Sequence, residues 1–528
     1  MTSPGRQSEQ PSDQPIGLPK RDKTKMPRLV ARALTTRIQV SGWRFLMDRL
    51  AHSVMRWDPS MKHNPQRSAA MSKWAGIGAA VVFLVGCIIL SLLMPRGVMR
   101  DSDLLVADRD TQALYVRIND KLHPVLNITS ANLILGKPKK PVLVKPSELS
   151  RLPRGPLVGI FGAPERMPSP DGNIADSSWA VCDTASPTGT MKVTVIGAPL
   201  FTDDSIGALV DGSAVLARFG DETDLVYNGH RTPIDLNDKA VTLAVGLDTS
   251  TPPPVPMSRG LHDALAATPQ LAVPPIAAAG TPTPPEWALN PSVVIGSIVK
   301  VRHVDGPDQL YVVLTDGLQP IGSVTAAIIR NADPRSPPPP IEVPANVLTT
   351  IPQSKALDVG FHPDKPLKIV DPVAKPVTCL SWVKGRQDTT ARITVLSGRA
   401  LPLPVAERSR TVEIVTVDPN GTTANNVYVK PGDGWFVRLV GGTPAAPTTP
   451  SQWWVNDTGV RFGLVLTASE DAAKSVGLDP ASALPGPWEM IRLLPQGPTL
   501  SSEDALMSHD GGVVDLNGAP VVVKKPAA

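Results

Sequence analysis

One uninterrupted apolar run constrains this chain more than any other feature. Residues 74–94, WAGIGAAVVFLVGCIILSLLM, are 21 positions without a charge. At ~1.5 Å of rise per residue, a helix of that length spans about 31 Å, which matches the hydrocarbon core of a bilayer. Lys73 and Arg96 bracket the run. Charge is unequal on its two sides: residues 1–73 hold 14 Lys/Arg against 5 Asp/Glu, a net of +9, and the remainder carries −5. The whole-chain value of +4 therefore averages two compartments, and it is too near balance for a nucleic-acid binder judged on net charge. The positive-inside rule puts residues 1–73 in the cytoplasm and 95–528 on the far side. A cleavable signal peptide does not fit, because its positive leader would occupy the whole of residues 1–73.

Leu84-Val85-Gly86-Cys87 has the look of a bacterial lipobox. A lipidated cysteine normally ends its apolar run, whereas seven further residues follow Cys87 here. Cys87 therefore reads as a small packing residue in a single-pass anchor. On the cytoplasmic side, the first residues are polar and proline-rich, the composition of a disordered tail. From Thr36 the pattern turns helical: Trp43, Leu46, Met47, Leu50, Val54 and Trp57 recur on one face, with Arg44, Asp48, Arg49 and Arg56 elsewhere, until Pro59. Such a basic amphipathic helix either lies on anionic lipid or docks a cytoplasmic partner, and periodicity does not choose between them.

Beyond the span the chain repeats itself. LYVRINDKLHPVLNITSANLIL (114–135) and LYVVLTDGLQPIGSVTAAIIRN (310–331) match at a constant offset of 196, sharing Leu114/Leu310, Tyr115/Tyr311, Asp120/Asp316, Leu122/Leu318, Pro124/Pro320 and Thr129/Thr325. The pattern predicts a strand, an Asp-centred turn, a second strand and a helix capped near the threonine. Two weaker copies surround Tyr227 and Trp454. Val245-Gly246-Leu247 and Val476-Gly477-Leu478 lie 231 apart, as do Pro256 and Pro487. Four units that bury together what none buries alone suggest an elongated, quasi-two-fold molecule. The 58 prolines argue against long helices, and the runs at 249–256, 274–285 and 336–340 read as extended connectors between sub-elements.

Cys182 and Cys379 lie 197 apart, close to the repeat offset, and so occupy matching places in the two halves. In an oxidising compartment a disulfide between them is expected; two buried thiols or a redox pair is the rival, although no Cys-x-x-Cys exists. The search for chemistry finds little. The one Gly-Lys, Gly136-Lys137, has no glycine five positions earlier and is followed by Pro138, so no phosphate-cradling P-loop is present. His-Glu-x-x-His, Gly-x-Ser-x-Gly and Gly-x-Gly-x-x-Gly are absent, and the eight histidines are scattered. His123 aligns with Gln319, which points to a turn position, and Asp120 and Asp316 read as turn residues. No catalytic, cofactor-binding or metal-ligating residue is assigned.

Gln39-Val40-Ser41-Gly42-Trp43-Arg44-Phe45-Leu46, the single span, Leu122-His123-Pro124-Val125-Leu126-Asn127, Pro153-Arg154-Gly155-Pro156, Trp179-Ala180-Val181-Cys182-Asp183 and Asp316-Gly317-Leu318-Gln319-Pro320 together resemble EccB, a membrane component of actinobacterial type VII (ESX) secretion systems. Asp457-Thr458-Gly459-Val460-Arg461 and Leu493-Leu494-Pro495-Gln496-Gly497-Pro498 fit the same pattern, and the resemblance runs from about residue 36 to 507. It implies an inner-membrane protein with a periplasmic body of four repeats about a central disulfide-containing domain. It also implies assembly with the EccC motor ATPase, EccD, EccE and the mycosin protease. Members sometimes carry the label ATPase; an ATP-hydrolysing reading is the alternative, and ATP enters only under it.

The expected fold is therefore α+β. A disordered tail (1–35), a cytoplasmic amphipathic helical region (36–73) and a transmembrane helix (74–94) precede a linker with the first repeat (95–155). A central, mostly β domain in two parts (156–204 and 355–444) is interleaved with repeats two (205–290), three (291–354) and four (445–507). A C-terminal tail (508–528) follows. The expected sites are the Cys182–Cys379 disulfide and a partner-docking helix face of Trp43, Leu46, Leu50, Val54 and Trp57.

Overall fold

The computed structural model describes residues 36–57, 65–93, 97–168, 174–186, 191–302, 308–334, 339–416, 421–511 and 520–522; the expected disordered tail, Pro59 and Arg96 lie outside them. The chain divides into two compact units, 1–96 and 97–528.

In the first unit, helix Arg37–Arg56 starts from a capping box. The Thr36 hydroxyl accepts from the Gln39 backbone N–H, and the Gln39 side chain accepts from the Thr36 N–H at 3.0 Å. Two of the helix's orphan donors are thereby satisfied. A second helix, Pro65–Leu93, contains one stretch, Met71–Leu90, that is long and apolar enough to cross a bilayer. It begins nine residues ahead of the expected span. Proline is tolerated in a helix's first turn, and the polar residues after Pro65 continue the same backbone without adding apolar length.

The second unit, here called the body, is built on five main sheets. Four are small and follow one path. In the first, Leu105–Asp108, Leu114–Ile118 and Lys121–Pro124 form an antiparallel meander, helix Ile128–Leu135 crosses over, and Val142–Val144 returns parallel to the first strand. The corresponding strands of the second are Ser213–Phe219, Glu222–Tyr227, His230–Pro233 and Val255–Pro256, with helix Lys239–Val245 as the crossover. The third has Ile298–Val301, Gln309–Leu314, Gly317–Ile321 and Ile341–Val343 with helix Ser323–Ala332. The fourth has Gly434–Val440, Thr448–Asn456, Arg461–Leu464 and Leu484–Pro487 with helix Ala472–Val476. In every case the chain then runs beside the third strand in parallel, through the bridges Leu122–Arg154, Ile234–Leu271, Leu318–Gln353 and Arg461–Gln496.

The fifth sheet has seven strands, in the order Val412–Glu413, Asn426–Val429, Met191–Gly197, Asp176–Ala185, Val377–Gly385, Arg392–Gly398 and Ile206–Ala208. Both faces are buried. One carries Ala180, Cys182, Ile196, Cys379 and Leu396. The other carries Trp179, Val181, Trp382 and Val395, packed with Trp435 and Leu493.

Three segments belong elsewhere than expected. Ile206–Ala208 is an edge strand of the seven-stranded sheet, not the start of the second repeat. Gly434–Val440 leads the fourth small sheet, although the expected central domain extends to 444. In the expected C-terminal tail, Ser508–His509 pairs with Leu157–Val158, and the Val521 N–H donates to the Leu506 carbonyl at 3.0 Å. Strand alternation marks each segment as extended but does not say which neighbour supplies its hydrogen bonds. The helix cap also moves. Asn127 accepts from the Ser130 N–H at 2.8 Å and so begins helix Ile128–Leu135, leaving the Thr129 hydroxyl to donate to the Pro164 carbonyl at 2.6 Å.

A buried carboxylate joins the seven-stranded sheet to the second small sheet. Asp183 accepts from the Ser258 N–H at 2.7 Å and its hydroxyl at 2.6 Å. Ser258 in turn caps the short helix Arg259–Ala264. Burial pushes the Asp183 pKa up to about 7, against the pull of the two Ser258 hydrogen bonds. The folded state therefore binds this proton more tightly than the unfolded chain does. The associated stability is fully present below about pH 4 and is lost as pH rises through about 7, on the order of 4 kcal/mol in all. Asp183→Asn, which mimics the neutral acid, should gain stability relative to the native chain between about pH 4 and 7 and level off above that in thermal unfolding. A difference that stays flat with pH would contradict the assignment.

Candidate interaction sites

The amphipathic helix is built as its spacing predicts. At ~3.6 residues per turn, Trp43, Leu46, Leu50 and Val54 fall within an arc of about 80°, while Trp57, expected on the same face, is the left-handed C-cap just past the helix. All five are exposed, Trp43 at 63% and Trp57 at 95%. Arg37, Arg44, Arg49 and Arg56 lie off that arc, and Arg56 stands in the last turn, where a cation complements the helix dipole. Phe45 and Arg49 are half-buried on the opposite side, and Met47 joins the exposed stripe. The result is an apolar face with a basic back, without any buried residue of its own.

The two cysteines meet as a disulfide. Cys182 lies on Asp176–Ala185 and Cys379 on Val377–Gly385, directly opposite each other in the antiparallel register with a Cα–Cα distance of 4.0 Å. Both are fully buried. Three residues along, Trp179 stands opposite Trp382 on the other face of the same strand pair. The bond therefore closes a sequence separation of 197 in the middle of the sheet, not at its edge.

The remaining sequence candidates have packing roles. His123 and Gln319 sit on strands, not in turns. The His123 Nδ1 lies 3.0 Å from the Pro156 carbonyl, and its ring occupies the space a side chain at 155 would need, so Gly155 is required there. Burial lowers the basicity of His123. Gln319 tethers the corresponding backbone at Leu357 through both amide atoms, at 2.7 and 2.8 Å. Asp120 accepts from Arg117 at 2.7 Å, and Asp316 accepts from the Ser354 hydroxyl at 2.9 Å. Cys87 is a free, exposed thiol on the long apolar helix. Among the described residues, no group of three or more His, Cys, Asp or Glu side chains is placed to hold a metal ion.

Sequence reasoning missed a cluster of charges between the second and fourth small sheets. Arg492 donates to Asp263 at 2.6 Å and to Glu489 at 2.7 Å, and Asp263 contacts His262 Nδ1 at 2.9 Å. Arg231, on the second sheet, donates to the His262 carbonyl and faces the buried Asp224 at 3.6 Å; burial raises the Asp224 pKa. Arg461 packs against the adjacent Trp453 and Trp488 rings, 5.1 and 5.0 Å from their centres, which are themselves 5.9 Å apart. These residues are far apart in sequence and follow no motif. Their sequence signal lay in the two weaker copies, around Tyr227 and Trp454.

Comparison with known proteins gives a consistent result. The family model described as "Type VII secretion system ESX-1, transport TM domain B" matches residues 32–514. "ESX-3 secretion system ATPase EccB3" of Mycolicibacterium smegmatis is 42% identical over 494 residues, covering 92% of this chain and 93% of that one. "ESX-5 secretion system ATPase EccB5" of Mycobacterium tuberculosis is 40% identical over 504 residues, covering 93% and 97%. A chain of an intact ESX-5 inner membrane complex superposes with a TM-score of 0.69 at 36% identity, over 93% of this chain and 98% of that one. A chain of an EccB3 dimer from the ESX-3 core complex does so with a TM-score of 0.68 at 38% identity, over 77% and 100%.

Because the disulfide is central, its removal should be costly. Constraining a loop of roughly 200 residues is worth up to about 5 kcal/mol in the chain-entropy model. Non-reducing protease mapping should link the peptides of Cys182 and Cys379. The double variant Cys182→Ala/Cys379→Ala should unfold several degrees lower than the native chain. Unchanged melting would mean that the strand pairing holds the halves together without the bond.

Proposed function

Since the chain belongs to the EccB family of type VII secretion systems and is a structural component of an ESX inner-membrane complex, we propose that it anchors and organises that complex from both sides of the membrane. In this reading residues 1–73 are cytoplasmic, Trp74–Met94 spans the inner membrane, and the body is periplasmic. The charge difference across the span supports this orientation. The four small sheets are copies of one repeat, duplicated as pairs. The helix contacts support that reading: Ile128–Leu135 packs on Ala472–Val476, and Lys239–Val245 on Ser323–Ala332. A duplication that carries the first unit to the third and the second to the fourth carries the first of these contacts onto the second, as a quasi-two-fold requires. The body self-associates, as the relative from the ESX-3 core complex does in its dimer.

The observation that carries the functional reading is the match to a chain of an intact inner-membrane complex over 93% of this chain. The exposed apolar stripe on helix Arg37–Arg56 is then a dock for the cytoplasmic motor, EccC, with EccD, EccE and the mycosin protease as further partners of the assembly. A helix of this length presents Trp43, Leu46 and Leu50 as anchors for a groove, the usual helix-in-groove mode.

A second reading rests on the name ATPase carried by the relatives from M. smegmatis and M. tuberculosis. This sequence has no P-loop of the Gly-x-x-x-x-Gly-Lys-Ser/Thr form. Under that reading, purified protein hydrolyses ATP in proportion to its amount, and one point substitution in the body abolishes the activity. Activity that separates from the protein on further purification would dismiss it.

The scaffold reading is tested at the helix. Trp43→Asp/Leu46→Asp/Leu50→Asp should leave membrane insertion and the Cys182–Cys379 bond intact while reducing recovery of EccC with the complex at least several-fold. Undiminished recovery would place the dock elsewhere.

A further inference from the structure

The edge of the first small sheet is basic and open, whereas the same edge of the third is closed by its own charges. Lys137, Lys139, Lys140 and Lys145 fall within nine residues that contain no carboxylate. None of the four makes an ion pair among the described residues; the local carboxylate, Glu148, is taken by Arg151 at 2.9 Å. Between the lysines runs Val142–Val144, the outer strand of its sheet, where Val142 is 39% and Leu143 50% exposed. In the third sheet Glu342 stands in register with Lys300, as Leu143 does with Ala107 in the first. Lys300 holds Glu342 at 2.7 Å and Asp308 at 3.4 Å, and Arg302 reaches Glu342 at 3.2 Å. One edge neutralises itself, and the other keeps four unpaired cations around an uncovered leucine.

The backbone there is both held and unfinished. The Asn132 side chain accepts from the Lys139 N–H at 2.9 Å, and Pro138 lies against Gly477 of the fourth small sheet. At the far end, the Lys145 N–H donates to the Gly97 carbonyl at 3.0 Å. Among the described residues, Val142–Val144 pairs with Leu105–Asp108 on one side and with no strand on the other. The Val144 carbonyl accepts from the Arg109 N–H at 2.9 Å, so the peptide groups of Val144 face the paired side. Successive residues of a strand alternate, and Leu143 therefore turns its N–H and C=O to the open side.

We propose that this edge docks a short, extended, acidic segment of another protein chain. Leu143 exchanges two hydrogen bonds with one residue of the segment, which adds a strand to the sheet. Carboxylates flanking that residue meet the lysines, and its apolar neighbours cover Val142 on one face and Leu143 on the other. A bilayer surface supplies anions but no strand for the Leu143 peptide groups. Two copies of this chain paired through the same edge would set lysine against lysine. Lysines can also merely blunt an open edge against aggregation. That role gives no reason for a bare leucine where the third sheet has a paired glutamate. The surface lies wholly within the body and is independent of the dock assigned to helix Arg37–Arg56.

The experiment uses full-length protein in two settings. In membranes carrying the assembled complex, a p-benzoylphenylalanine photocrosslinker stands at position 143, and mass spectrometry identifies the joined peptide. That peptide should come from another protein and carry net negative charge, and Lys137→Glu/Lys139→Glu/Lys140→Glu should remove it. On purified protein, fluorescence anisotropy reads the binding of a labelled Glu-Val-Glu-Val-Glu-Val peptide against its Lys-Val counterpart. The charge-reversed variant and Leu143→Pro, which deletes the outward N–H at a position where an edge strand tolerates proline, should each weaken binding of the acidic peptide roughly tenfold; the triple arginine variant should retain it. An intact Cys182–Cys379 bond in each variant reports that the body is folded. Unchanged binding by Leu143→Pro would reduce the surface to a patch of lysines and overturn the added strand. Equal binding of the two peptides would overturn the acidic occupant. Crosslinks that persist after charge reversal, or that reach only lipid, a second copy of this chain or nothing, would overturn the docked partner.

Discussion

The antiparallel pairing of Asp176–Ala185 with Val377–Gly385 is the constraint on which the body depends. Those strands come from distant parts of the chain, and they are the fourth and fifth of the seven strands of one sheet. Nine residue pairs are in register along them, with the disulfide near one end and Trp179 opposite Trp382 further along. A pairing between segments nearly 200 residues apart has a large loop-closure cost, which local hydrogen bonds do not offset on their own. The covalent bond lowers that cost by restricting the unfolded chain. Burial of both faces, including two tryptophans, supplies the rest of the driving force.

The four small sheets solve a different problem. A three-stranded meander with one parallel return strand has two faces and one short helix, too little to bury a core alone. The crossover helices therefore pack in pairs. Leu133 shares a cluster with Phe436, Trp454, Ala472 and Val476, and Val241, Ala244 and Val245 share one with Val324 and Ile328. Each cluster combines an element from one half with an element from the other. The second and fourth small sheets also meet the central sheet directly, through Asp183 on Ser258 and through Trp435, whose indole N–H donates to the Gly197 carbonyl. Cutting the chain between halves would separate strands and helices from their partners at several places.

Much of this was readable from residues alone where the signal is local or periodic. The apolar run gave the long helix, the 3.6-residue spacing gave the amphipathic helix, and the offset of 196 gave the hairpin and helix of the first and third small sheets. Matching positions of Cys182 and Cys379 indicated the bond. What escaped was membership: Gly434–Val440 and Ile206–Ala208 are strands by pattern, but only tertiary hydrogen bonding assigns each to its sheet. The cap at Asn127 escaped because the aligned threonine looked like the better candidate, while the asparagine two residues earlier reaches the Ser130 N–H first. Asp183 escaped for a similar reason. A lone aspartate on a strand carries no mark of burial, and its partner Ser258 is 75 residues away.

The interaction sites share a physical logic that a search for catalytic motifs would miss. The two carboxylates that burial pushes upward hold the body together: Asp183 joins the seven-stranded sheet to the second small sheet, and Asp224 faces Arg231 within the second small sheet. The hydrogen bonds of Asp183 and the ion pair of Asp224 are both made within this chain. The groups left uncovered are of another kind: an apolar stripe with arginines behind it before the span, and lysines around two aliphatic residues after it. Exposed apolar and basic side chains on helix Arg37–Arg56 and around strand Val142–Val144 are surfaces suited to holding other molecules in place. The same distribution explains why net charge was uninformative, since the basic excess is gathered in residues 1–73 and the acidic excess is spread over the remainder.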